Sequence, residues 1–300
     1  MCASEYHKSV LKAEVIRYLD PRPGEIYVDA TFGGGGHTNA ILEHEPRCTV
    51  VGVDWDTVAL DMNAPKLKEK FGERFVSIWG NFSQLPLLLK REGIGKVNGL
   101  LADFGPSQYQ IFQKEGFSFL SKTPLDMRMS PAHQKKTAFD IINWASEKEL
   151  EHIFREYGEE RHARRIARAL VETRRAKPIK TAYDLAQFVK ETVAPQQTYH
   201  KINPATKVFQ ALRIAVNKEF ENIKAFLTHA PLLLKPGGRI VCISFHSLED
   251  RMVKQFFKEH TELRATTPKP VLASDEELRD NPSARSARLR AAELVIEEDV

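Results

Sequence analysis

The feature that most constrains this chain is an alternation in its first hundred residues that then stops. Glu25–Phe32, Cys48–Val53, Phe75–Ile78 and Val97–Ala102 are short and apolar, and read as buried strands. Between and before them lie segments of helical period: Ser9–Leu19, His37–Glu43, Asp56–Phe71 and Ser83–Arg91. In the first of these Val10, Leu11, Val15, Ile16 and Leu19 share one face, and Pro21 and Pro23 end it. Strands that are apolar throughout, rather than at every second residue, predict a parallel sheet covered on both faces. From Ser107 to Asn203 no buried strand is legible. Thr137–Trp144, Glu147–Tyr157, Arg161–Glu172 and Ala182–Val193 read as helices, punctuated by Pro178, Pro195 and Pro204. One long helix is expected over Pro204–Leu227, then a stop and turn at Leu232–Arg239 and a strand at Ile240–Phe245. Thr266–Arg290 is polar and reads as loop-rich, with a last strand at Ala292–Ile296. The expectation is an α/β body, residues 1–106 and 208–300, interrupted by a helical insertion, residues 107–207.

Composition narrows what such a body does. A chain of 300 residues that is 42% hydrophobic is not disordered. Three widely spread cysteines, Cys2, Cys48 and Cys242, give neither a disulfide framework nor a metal motif. No apolar run approaches the ~20 residues of a membrane span, and the first residues hold no signal-peptide core. A soluble, cytoplasmic protein without a metal is expected. The net charge of +4 is unevenly placed. Residues 107–207 hold 18 Lys and Arg against 12 Asp and Glu, and the remainder holds 26 against 28. Within Arg161–Lys180, Arg161, Arg164, Arg165, Arg168, Arg174, Arg175, Lys177 and Lys180 face a single acid, Glu172. Such a field suits a polyanion; a solvated helix face accounts for the charge equally well.

The chemistry gathers at the strand ends, where open α/β sheets bind ligands. Asp29-Ala30-Thr31-Phe32 leads into Gly33-Gly34-Gly35-Gly36-His37. Glycines there admit positive φ and close backbone approach. The spacing is neither G-x-G-x-x-G nor a P-loop, which disfavours a pyrophosphate. Asp54 closes the second strand about 20 residues beyond the loop, where a carboxylate can accept both ribose hydroxyls. Asp56 is free to cap the next helix instead. Phe82, after the third strand, either flanks an adenine or fills core. A nucleoside cofactor without phosphates fits best, and S-adenosylmethionine is the common one. Asp103 closes the fourth strand. Its carboxylate can accept the hydrogens of an exocyclic amine and aim the lone pair at a sulfonium methyl, or it can serve as a turn residue.

Eight stretches carry a resemblance: residues 7–11, 29–37, 103–110, 116–119, 124–129, 201–206, 209–217 and 244–251. In this order they resemble the RsmH (MraW) family of ribosomal small-subunit RNA (cytosine-N4)-methyltransferases, and Asn281–Arg290 is similar to that family's C-terminal segment. The resemblance implies a class I S-adenosylmethionine-dependent methyltransferase (Rossmann-like) sheet with an inserted all-helical domain. It implies methylation of the N4 amine of a cytidine in the decoding region of 16S ribosomal RNA, in the small subunit. By matching residues it places Gly35, Gly36, His37, Asp54, Phe82, Asp103 and Gln110 at the cofactor. Where the family reads D-L-G-V-S-S-P-Q, this chain reads Asp103-Phe104-Gly105-Pro106-Ser107-Gln108-Tyr109-Gln110, keeping Asp103, Gly105, Ser107 and Gln110.

Candidate RNA contacts are Arg128, Arg164, Arg165, Arg168, Asn203, Arg213 and His246. Arg128 meets phosphate in one reading and belongs to a packed loop in the other. Asn203 and Arg213 project toward substrate or serve as cap and surface groups. His246 contacts the base or is a satisfied structural histidine. A homodimer is left open. Two competing classes remain: a nicotinamide-dependent oxidoreductase, which would need the missing pyrophosphate motif, and a non-catalytic RNA-binding protein.

Overall fold

The computed structural model describes residues 8–193 and 203–295. His7, Lys201 and Ile202 of the motifs above, Pro195, and Ile296 of the last expected strand lie outside the described residues. The chain divides into two compact units, residues 1–107 with 220–300, and residues 108–219.

In the first unit, α1 (Lys12–Leu19) precedes β1 (Ile26–Asp29), α2 (Gly36–His44), β2 (Thr49–Asp54), α3 (Thr57–Phe71), β3 (Phe75–Trp79), α4 (Leu85–Arg91) and β4 (Val97–Asp103). The four strands are parallel, in spatial order β3-β2-β1-β4. Val28, Val50, Val51, Val53, Leu100 and Leu101 are wholly buried, as strands covered on both faces require. Gly52 is forced by packing, since a Cβ there would press into the Phe32 ring. Asp56 caps α3 by accepting the Val58 amide.

In the second unit come α5 (Gln108–Gln113), α6 (Ala138–Trp144), α7 (Glu147–His152), α8 (Ala163–Arg174), α9 (Ala182–Val193) and α10 (Thr206–Asn217). Thr137 with Asp140 and Ser146 with Glu149 form capping boxes that start α6 and α7. Ala163, Ile166, Ala167 and Leu170 of α8 are wholly buried against Ile142, Leu150, Leu185 and Leu212. After His152 the expected helix continues only as a π-turn, Ile153–Tyr157.

The long helix expected over Pro204–Leu227 is two helices. Lys218 takes φ 51 and ends α10, and α11 (Glu219–Leu233) follows. The last residue of α10, Asn217, joins the break to a distant loop. Wholly buried, it accepts the Met129 amide at 2.8 Å and donates to the Met127 carbonyl at 2.8 Å. The unit boundary therefore falls after Glu219 rather than after Lys207. Val208, Ala211 and Leu212 bury themselves in the helical core.

The first unit resumes with β5 (Leu234–Ser244), α12 (Ser247–Glu259), β6 (Leu263–Ala265), α13 (Asp275–Asp280) and β7 (Arg288–Leu294). β5 extends the parallel set beside β4; β7 runs antiparallel between β5 and β6, giving the order β3-β2-β1-β4-β5-β7-β6. Among the described residues β7 is thus the one reversed strand of a seven-stranded sheet. The last strand begins at Arg288, four residues before the expected start. Its two arginines hid it. Arg290, 7% exposed, is neutralised by Asp250 of α12 at 2.6 and 3.1 Å.

Candidate functional site

Gly36, His37, Asp54, Phe82, Asp103 and His246 all lie at or just after the carboxyl ends of β1 to β5, within one unit. Parallel strands bring those ends to one edge of the sheet, which is why residues scattered over 210 positions of sequence meet there.

The glycine loop is tied down from two sides. The Asp54 carboxylate accepts the Gly33 amide at 2.7 Å and the Asp56 amide at 2.8 Å. Asn63 of α3 donates to the Gly33 carbonyl at 3.2 Å. Gly33 and Gly35 take φ 49 and 74, so the turn into α2 is left-handed at both. A Cβ on Gly36 would strike the Ser9 hydroxyl, so the loop also needs glycine for space. Burial pushes the Asp54 carboxyl up to about 6, against the pull of its two backbone amides.

Beneath the loop sits Asp29, wholly buried at the end of β1. It accepts the Thr38 hydroxyl at 2.8 Å and the Thr31 amide at 3.3 Å. Burial raises its carboxyl above the usual range, and the neighbouring His37 opposes that rise. Thr31 in turn accepts the Asp103 amide at 2.7 Å, so β1 and β4 fix each other's ends.

His37 is 4% exposed, with Nε2 3.5 Å from Asp103 Oδ2. Both ring nitrogens and Asp103 Oδ1 are buried without a hydrogen-bond partner among the described residues. Buried polar atoms are normally paired. Three unsatisfied ones beside a glycine loop are groups that a polar ligand can satisfy. A nucleoside with a charged amino-acid tail suits them: Asp54 for the ribose hydroxyls, the glycine backbone for close approach, and His37 and Asp103 for polar groups further in. The residues present therefore fit S-adenosylmethionine.

Phe82 is half-buried, its ring 6.0 Å from Phe104 and 5.9 Å from Phe226. It joins an aromatic cluster of the core while keeping one part exposed at the strand ends. His246 caps α12, its Nδ1 accepting the Glu249 amide at 3.4 Å and its Nε2 lying 3.2 Å from Glu249 Oε1. Glu249, wholly buried, also accepts the Phe245 amide at 2.8 Å. Glu249, Asp29, Thr31 and Asn63 were not read from sequence as site residues. The one legible signal was ionisable Asp29 inside an otherwise apolar strand.

The other candidates lie in the helical unit. Gln110 is 6% exposed on α5. Arg128 is held in a two-point pair with Asp126 at 2.8 and 2.7 Å. Arg213 forms the same fork with Glu219, at 2.9 Å for each bond. Asn203 accepts the Ala205 amide at 2.9 Å and starts α10. Arg164, Arg165 and Arg168 are exposed on α8, and together with Arg161 and Glu172 they line a shallow hollow of about 540 Å³. Of these, Arg168 pairs with Glu172 at 3.0 Å. Arg174 is spent structurally, donating to the Ile142 and Ala145 carbonyls at 2.6 Å each. No helix among the described residues is long and apolar enough to cross a membrane.

A family model described as the MraW methylase family matches residues 4–295. A protein of Thermotoga neapolitana named Ribosomal RNA small subunit methyltransferase H is 48% identical, covering 98% of this chain and 98% of its own. Proteins of the same name from Picosynechococcus and Geobacter sulfurreducens are 46% and 45% identical. They cover 98% and 96% of this chain, and 98% of each relative.

Proposed function

The chain belongs to the MraW methylase family, and from that premise we propose that it methylates the N4 amine of a cytidine in the decoding region of 16S ribosomal RNA, with S-adenosylmethionine as methyl donor. The observation that carries this reading is the carboxylate of Asp103 at the end of β4, one of its oxygens buried and unpartnered among the described residues. When bound, S-adenosylmethionine supplies an activated methyl group on a sulfonium.

The chain's own residues supply position. Asp54, Gly35, Gly36 and His37 would hold the cofactor, with Phe82 available to its base. Asp103 accepts hydrogens of the cytidine amine and so turns its lone pair toward the methyl carbon. An aromatic amine is a poor nucleophile, and a carboxylate sharing its proton raises its electron density as the new bond forms. The carboxylate is held still for this: Thr31 fixes its backbone, and Asp29 fixes the loop around it. A cytidine in folded RNA has to leave its stack to reach such a recess.

The helical unit supplies the grip on RNA. Arg164 and Arg165 are exposed and point charge at solvent, as phosphate contacts require. Arg128 and Arg213 act differently. Each is committed to a carboxylate, and their part is to hold the 126–129 loop and the end of α10 in shape. His246 likewise shapes the start of α12, beside the site.

The substrate is read as ribosomal RNA carried in the small subunit, and the working compartment as the cytoplasm, where that subunit is. Sedimentation of the purified protein distinguishes monomer from homodimer. The deciding experiment is transfer of labelled methyl to small subunits from cells lacking the enzyme, followed by nucleoside analysis. N4-methylcytidine is the expected product. Its absence with intact protein that binds S-adenosylmethionine would favour a non-catalytic RNA-binding protein.

A further inference from the structure

Trp144 is 76% exposed at the last position of α6, in a helical unit whose other large apolar side chains mostly serve its core. An exposed indole on an otherwise mobile turn would mean little. This turn is fixed. Arg174 donates to the carbonyls on either side of Trp144, those of Ile142 and Ala145, at 2.6 Å each. Asn143, immediately before it, is 8% exposed and exchanges two hydrogen bonds with Ile179, at 2.9 and 3.1 Å. Ser146, two residues after it, begins α7 with a reciprocal capping box. The backbone that carries the ring is therefore locked on both sides, and the ring itself faces water.

Its surroundings are cationic. Arg174, which holds the turn, is followed by the exposed Arg175 and Lys177. Arg164, Arg168 and Arg175 are spaced by four and seven residues, which puts them on one stripe of α8 and its continuation. Trp144 is tied to the end of this helix through Arg174, the last residue of α8. Glu147 and Glu172 offset part of this charge; Arg161, Arg164, Arg165, Arg175 and Lys177 leave a clear excess.

A fixed, exposed aromatic ring joined to the end of an arginine-bearing helix suits single-stranded nucleic acid. The charges track phosphates, and the ring stacks on a base that has no pairing partner. We propose that Trp144 is a stacking platform for an unpaired base of the RNA substrate, at a position separate from the methylated cytidine. This rests on the reading of the chain as an RNA methyltransferase and adds a feature to the substrate: an unpaired nucleotide that the helical unit engages. Stacking needs a π-face, which an aliphatic side chain of similar size lacks, and that difference makes the proposal testable.

The experiment measures binding of a labelled single-stranded RNA and a blunt RNA duplex of equal length to the full-length protein and to Trp144→Ala, Trp144→Leu and Trp144→Tyr. S-adenosylmethionine binding by each variant controls for folding. Single-strand affinity should fall roughly 5- to 100-fold for Ala and Leu and be largely kept by Tyr, while duplex affinity stays level. Unchanged single-strand binding by Trp144→Ala overturns the proposal. So does full rescue by Leu, which would show a merely apolar contact. Unaltered binding to free RNA with impaired methylation of small subunits would assign the ring to a protein surface, and also overturns it. If the unaltered protein neither binds RNA nor methylates subunits, the parent reading fails instead.

Discussion

The pH dependence of cofactor binding follows from one carboxylate. Asp54 closes β2, and its carboxyl is pushed by burial from the ordinary 3.8 to about 6. Ribose hydroxyls donate to a carboxylate, so the ionised form is the one that binds. At about pH 7.5 nearly all of the free protein has Asp54 ionised; at about pH 5 only about a tenth does. Affinity for S-adenosylmethionine should therefore fall about tenfold between those two values. The stability of the free protein moves the other way. A carboxyl whose folded value is raised holds its proton in the folded chain between 3.8 and about 6. That group favours folding in acid and ceases to do so as pH rises through about 6. The thermal stabilisation given by the cofactor should accordingly grow from about pH 5 to about pH 7.5. Asp54→Asn removes the titrating group. It should weaken binding at about pH 7.5 by roughly 10- to 150-fold, the worth of a hydrogen bond to a charged acceptor. Its residual affinity should also show a flatter pH profile. Titration calorimetry at several pH values measures both. A dissociation constant that does not change between pH 7.5 and 5, or a variant that keeps the parent's slope, would refute the assignment.

Three further outcomes are expected. Asp103→Ala should lower single-turnover methyl transfer at least a hundredfold while leaving RNA affinity near that of the parent, because the carboxylate acts on the amine rather than on the phosphate chain. Arg164→Ala with Arg165→Ala should do the reverse. Saturating transfer survives, RNA binding weakens, and the slope of affinity against salt becomes shallower by about two counterions, as read from binding isotherms at several salt concentrations. Arg290→Met should cost about 3 kcal/mol in denaturant unfolding, because Asp250 is left buried without its partner. Replacing both residues by apolar ones should recover most of that loss.

Much of the α/β body was readable because a parallel strand buried on both faces has few sequences open to it. Val50-Val51-Gly52-Val53 has one use in a soluble domain. The glycine loop and Asp54 were readable for a related reason, since ligands bind where such strands end. What escaped was set by contacts distant in sequence. The stripe of Val208, Leu212, Ala215 and Ile223 runs without interruption through residues 217 and 218. The helix breaks there all the same, at a point where Asn217 is bonded to the Met127–Met129 backbone, about 90 residues away. Arg128 and Arg213 each admitted an RNA-contacting and a structural reading, and no local pattern announces that Asp126 and Glu219 hold them. β7 was hidden by Arg288 and Arg290, the second of which is tolerated in the sheet because α12 presents Asp250.

The position of β7 also sets an order of events during synthesis. Six strands leave the ribosome before it. Among the described residues β6 pairs with β7 and with no other strand, and β5 has β7 along its second edge. Until Arg288–Leu294 emerges, the growing chain has β5 with an open hydrogen-bonding edge and β6 with nowhere to dock. An interrupted chain therefore keeps a sticky strand edge however well its first half has folded. The strand that seals the sheet follows the other six described strands in the chain, and translation through it is what closes that edge against association.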